Sequence, residues 1–111
     1  MHVFCHQIYE FKKGVRDMVL CTLSADNEDK VRKRLEGNNI CYMIQYLSNN
    51  KINVFFGKEE CIIVVREMCN DRPLNKLTPE EDFILGTLLG YSVCEQCTRY
   101  CKRMKKATCV A

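Results

Sequence analysis

Nine of the 111 residues are cysteines, and that count decides early what kind of fold the chain can form. A small cysteine-rich chain is either stapled by disulfides or uses its thiols as compact core side chains, and the redox compartment makes the choice. The opening Met1-His2-Val3-Phe4-Cys5-His6 lacks the basic segment and apolar run of a secretory signal. No stretch approaches the ~18 apolar residues of a membrane span. The longest runs, Cys61-Ile62-Ile63-Val64-Val65 and Phe83-Ile84-Leu85, are core-sized. A cytoplasmic protein with reduced thiols is therefore expected. The odd count, and the place of Cys109 near the end of the sequence, also fit poorly with a complete disulfide framework. A chain of this length buries about two-thirds of its unfolded surface, so one domain over residues 1–111 needs neither staple nor metal.

The formal net charge is +3, too small to imply a polyanionic partner. Positive charge gathers at Arg99, Lys102, Arg103, Lys105 and Lys106. The pattern reads as a solvated last helical turn, where cations suit the helix dipole, rather than a nucleic-acid patch.

Hydrophobic periodicity orders the rest. Phe4, Ile8 and Phe11 recur at helical spacing, and Gly14 gives that N-terminal helix (residues 1–14) its stop. Asp17 to Leu23 reads as a strand running into Ser24-Ala25-Asp26-Asn27, a cluster suited to capping a helix over 26–36. Ile40 to Leu47 and Ile52 to Phe56 are the second and third strands, joined through Asn49-Asn50, since asparagine tolerates positive φ. The next segment is contested: Ile62-Ile63-Val64-Val65 is β-branched and favours a strand. Yet Cys61, Ile62, Val65, Met68 and Cys69 share one helical face, which predicts a helix over 58–69. After Asp71-Arg72-Pro73, the run Leu77-Thr78-Pro79-Glu80-Glu81 is a capping box with proline at the first helical position. Ser92-Val93-Cys94-Glu95 repeats the box after Gly90. The two boxes predict a helical hairpin over 78–105.

Strand, helix, strand, strand, helix over 17–69 gives an α+β fold. Its sheet is three-stranded and antiparallel, a truncated ferredoxin-like arrangement with the third strand central and about five helices in all. The helices at 26–36 and 58–69 are expected on one face. Neither side of any strand is cleanly polar, so the sheet needs cover on both faces. The candidates are the helical hairpin, the N-terminal helix, or a second copy of the chain, which could also pair the exposed edges.

The sharpest chemical candidate is Cys94, Cys97 and Cys101, which begin in the first turn of a capped helix. Backbone N–H groups there stabilise a thiolate, so the three could serve as a redox dithiol or part of a metal site. The competing reading is core packing, because Val93, Cys97, Tyr100 and Met104 share nearly the same stripe, and buried thiols behave as small hydrophobes. Core packing is preferred. A thioredoxin-type pair follows a strand, and a four-ligand metal site needs a second cluster at a recognisable spacing. His2, Cys5 and His6 could meet on one helix face but sit on a terminal segment. The strand Ile52-Asn53-Val54-Phe55-Phe56-Gly57 faintly resembles a base-stacking strand without its basic–glycine–aromatic spacing. No catalytic set, phosphate loop, cofactor or resident metal is expected, and Glu80, Glu81 and Asp82 are accounted for by helix-start preference.

Several segments together carry a resemblance: His6 to Gly14, Leu20 to Ala25, Ile52 to Gly57, Leu77 to Gly86, Leu89-Gly90-Tyr91, Gln96-Cys97 and Arg99-Tyr100. They resemble an uncharacterised family of small bacterial proteins, a domain of unknown function, over nearly the whole chain. The Thr-Pro-Glu-Glu-Asp-Phe block is the more specific part. The resemblance implies three strands with about five helices and a homodimer. It also implies genes that often lie beside a flavodoxin gene, hence an accessory role in electron transfer with no activity assigned. The family keeps a cysteine matching Cys97, less regularly ones matching Cys94 and Cys101, which weighs against a dithiol.

Overall fold

β-Branched and aromatic residues concentrate in three segments, and these pair into one open antiparallel sheet. The computed structural model describes residues 1–69 and 71–104. In chain order the elements are α1 (His2–Lys12), β1 (Met18–Ser24), a 3-10 turn at Ala25–Asn27, and α2 (Glu28–Gly37). Then come β2 (Cys41–Tyr46), β3 (Lys51–Gly57), α3 (Glu59–Cys69), a second 3-10 turn at Leu74–Lys76, α4 (Pro79–Leu88) and α5 (Val93–Arg103). The strand order is β1-β3-β2. The third strand is central, as the sequence predicts. Asn49 and Asn50 take φ of 61° and 56° in the β2–β3 turn, where a β-branched residue would be strained.

Strand alternation splits the sheet into two apolar faces. On the first, Val19, Cys21, Val54, Ile52 and Phe56 pack with Phe4 and Ile8 of α1 and Val31 and Leu35 of α2. Phe4 and Phe11 both meet Phe56 edge to face, with centroids 5.6 and 6.2 Å away. On the second, Met18 and Phe55 pack with Ile62, Val65 and Cys69 of α3, and with Leu77, Leu85 and Leu89 from α4 and its flanks. The β-branched segment is a helix: Ile62, Val65 and Cys69 are its buried stripe. Tertiary burial overrides local strand preference there.

The layering corrects one expectation. Sequence reading puts residues 26–36 and 58–69 on one face, but α2 and α3 lie on opposite faces. The reason is competition for area, since α1 and α2 together already cover the Phe56 side. Gly57 sends the chain to the other side. A Cβ there would stand 2.3 Å from the Asp17 carbonyl oxygen and 2.7 Å from Met18 Cα, so only glycine permits this approach. The Lys58 N–H then donates to Asp17 O at 2.9 Å.

One row across the second face is polar. Thr22 Oγ1 donates to Asn53 Oδ1 at 2.7 Å, Asn53 Nδ2 to Gln45 Oε1 at 3.1 Å, and Gln45 Nε2 to Arg72 O at 2.7 Å. Buried amides are tolerated because each finds a partner.

Candidate functional site: the outer face of the α4–α5 hairpin

Thr78 and Ser92 start the two helices of the hairpin. Thr78 Oγ1 accepts from the Glu81 N–H at 3.1 Å, and Glu81 Oε1 accepts from the Thr78 N–H at 2.9 Å, closing the expected capping box. Ser92 Oγ accepts from the Glu95 N–H at 3.4 Å, so the second box is formed on that side. The expected helix end near Lys105 lies outside the described residues, as do Lys106 and Cys109. The helix itself closes at Arg103.

The two helices meet through a polar set that helix-start preference and dipole arguments do not anticipate. Arg99 Nε donates to Asp82 Oδ2 at 2.6 Å, and Arg103 Nη2 donates to Leu77 O at 2.9 Å. These arginines tie α5 to the α4 side while they and Lys102 stay exposed at the end of the helix, as the sequence reading expects. Gln96 is 5% exposed and lies over Gly86, whose absent Cβ would sit 1.8 Å from Gln96 Nε2. Phe83 and Tyr100 meet edge to face at 6.4 Å. The Leu-Gly86 and Gln96-Cys97 segments were visible in the sequence, but their contact joins residues ten apart across a turn, which periodicity does not reveal.

That clamp decides where the three candidate thiols point, and it overturns the core-packing reading. Cys94 and Cys97 are exposed and Cys101 is half-buried. Val93 is 63% and Met104 38% exposed on the same side. The side of α5 turned inward is the Gln96 side, so Val93, Cys94, Cys97 and Met104 are left facing out, while Tyr100 of the same stripe packs on Phe83. Cys94 also borders an open cleft of about 720 Å³ shared with Tyr91, Arg99 and Lys102. The small-hydrophobe role belongs instead to Cys21 and Cys69, which are buried. Desolvation pushes both of those thiols above their ordinary pKa.

The other candidates are separated by the fold. His2 and His6 are exposed, and His6 stacks on Tyr9 at 6.3 Å. Cys5 Sγ accepts from Arg34 Nη2 at 3.1 Å. Among the described residues, no three His, Cys, Asp or Glu side chains converge as a metal site. Phe55 and Phe56 are fully buried, so β3 offers no open stacking platform. Among the described residues, no helix is long and apolar enough to cross a membrane.

A three-stranded antiparallel sheet between two helical layers, with a clamped hairpin presenting a sulfur-rich stripe, defines a small α+β protein whose distinguishing surface is a helix face. The chain belongs to a family described as protein of unknown function (DUF2023), whose profile matches residues 2–103. The chain matches no curated protein.

Proposed function

We propose that the protein is a non-enzymatic accessory protein of the reducing cytoplasm that works as a homodimer, with the outer face of the α4–α5 hairpin as its contact surface. One observation carries this reading: α5 turns its apolar stripe, Val93, Cys94, Cys97 and Met104, away from its own core. An amphipathic helix normally buries that stripe, and contiguous exposed apolar surface marks a place of association. Both sheet faces are supplied with cover by the chain's own helices, so the exposed apolar positions lie on outer helix faces, Val93 on α5 and also Ile63 and Val64 on α3. Sedimentation equilibrium tests it. The wild type is expected to be a dimer and Val93→Glu a monomer with an unchanged fold by circular dichroism. A wild type that stays monomeric at tens of micromolar would refute the reading.

The family resemblance adds a flavodoxin-type partner. Titration of purified flavodoxin, followed by calorimetry, checks that addition separately: no heat of binding removes it and leaves the dimer standing. A second reading is favoured by the exposure of Cys94 and Cys97, namely thiol redox or metal chemistry at Cys94, Cys97 and Cys101. It requires a Cys94–Cys97 disulfide under mild oxidation, or metal retained after anaerobic purification. Peptide mapping and metal analysis that find neither would eliminate it.

A further inference from the structure

α2 carries a cluster of cations that the fold leaves without partners. Lys30, Lys33 and Arg34 stand at i, i+3 and i+4, which sets them side by side on one face of the helix. All three are exposed, and among the described residues none of them forms an ion pair. Arg32 of the same run differs, since Glu28, Tyr42 and Tyr46 occupy its guanidinium. Like charges at this spacing disfavour a helix, so this face gains from an anion. Met1 and Cys5, from α1 and its cap, complete an open cleft of about 500 Å³ with the three cations. Arg34 Nη2 donates to Cys5 Sγ there at 3.1 Å. Among the described residues, no Asp or Glu lines the cleft.

We propose that this cleft binds the disulfide form of a small carboxylate-bearing thiol, and that Cys5 exchanges with it to form a mixed disulfide. The volume falls in the range of small-ligand sites, about 300–1,000 Å³. Lys30 and Lys33 receive the carboxylates, and Arg34 holds the sulfur at the cleft wall. In the exchange, Cys5 releases its proton to solvent and its sulfur attacks one sulfur of the bound disulfide. A new S–S bond forms as the old one breaks, and the displaced half leaves as a thiolate. The Cys5 sulfur is oxidised and the leaving sulfur reduced; a second thiolate reverses the step. Comparison of the thiols singles out Cys5. Cys21 and Cys69 are buried. Burial first, then the charges of Asp17 and Glu60, push the Cys61 thiol up, and those carboxylates repel an anion. Cys41 shares its cleft with Glu59 as well as Arg66. Cys94 shares its own with Glu95, and Arg99 there is engaged by Asp82. The Cys5 cleft is separate from the α5 surface, so neither reading given for α5 bears on it.

The charge of the reagent provides the test. Full-length reduced protein is treated with dithiodipropionate, a disulfide with a carboxylate on each half, or with cystamine, which has an ammonium on each half. Mixed disulfides are followed in time by peptide mass spectrometry. Cys41, an exposed thiol, is the internal reference, so the differing leaving groups cancel in the ratio of Cys5 to Cys41 rates. That ratio is expected to be about tenfold higher with the dicarboxylate, the low end of focusing by a charged cleft. Lys30→Gln combined with Lys33→Gln should bring the two reagents within about twofold of each other. Salt at about 1 M, where the screening length falls to about 3 Å, should do the same to the wild type. The salt arm stands even where the double variant is less stable. Equal ratios for the two reagents in low salt, or a Cys5 that neither modifies, would overturn the proposal. So would a preference that persists in the folded double variant or in high salt, because the selection then lies outside this cluster of charge.

Discussion

Glu81 shows how much a single capping residue can organise. Its Oε1 takes the Thr78 N–H at 2.9 Å, while its Oε2 takes the guanidinium of Arg72. Arg72 also donates to Met68 O at the end of α3, and its own carbonyl oxygen accepts from Gln45. One side chain thus ties the start of α4 to the end of α3 and the sheet. The Arg72 hydrogen bond, aided by the Thr78 N–H, holds the Glu81 carboxyl down to about 2, against 4.5 ordinarily. A depressed carboxylate contributes stability above its unfolded pKa, and that contribution fades as pH falls towards the folded value. The urea midpoint of the wild type is therefore expected to fall between about pH 4.5 and 2. Glu81→Gln should have a lower midpoint near neutral pH and a flatter profile, so the two curves converge in acid. Parallel curves would show that the ion pair contributes nothing. The capping box was legible because its residues lie three apart. Arg72 was not, because a loop arginine nine residues upstream has several carboxylates within reach.

At the scale of elements, the hairpin depends on polar contacts where the sequence suggests an apolar seam. Asp82 accepts from Arg99 and approaches Arg103 at 4.0 Å, and its side chain is 14% exposed. Arg99, by contrast, is largely in water, which limits the strength of the pair. Asp82→Ala is expected to cost about 1 kcal/mol. The loss should appear locally: amide exchange in α5 should accelerate while β3 keeps its protection. Equal acceleration in both would mean that α5 opens only with the whole fold. Most elements were legible because their period and end signals agree, α3 included, where five apolar residues on one face outweighed four β-branched ones. The orientation of α5 was not. Periodicity identifies the apolar stripe of a helix but not what it faces. The face that Gly86 admits is occupied by Gln96, a polar residue that no hydrophobic pattern marks. Opposite placement of α2 and α3 was hidden for a similar reason: Val54 and Phe55 make both faces of β3 apolar, so either could receive a helix.

At the scale of the whole molecule, β3 is the wall between two cores. Phe55 belongs to the layer of α3 and α4, and Phe56 to the layer of α1 and α2. Both are fully buried, yet the two side chains have no apolar cluster in common. The backbone between them is paired on both sides, Phe55 with Leu20 and Met43, Phe56 with Val19 and Tyr42. Loss of either layer exposes the same strand, so the two cores should unfold as one cooperative unit. Phe55→Leu and Phe56→Leu are each expected to cost about 1–2 kcal/mol through the space left in their own layer. Because the rings touch different neighbours, the double variant should equal the sum within about 0.5 kcal/mol. Urea unfolding followed by both fluorescence and circular dichroism should give coincident single transitions for all three. A two-step transition in Phe55→Leu, with α1 and α2 surviving the first step, would show that the sheet divides the molecule into two units rather than joining them.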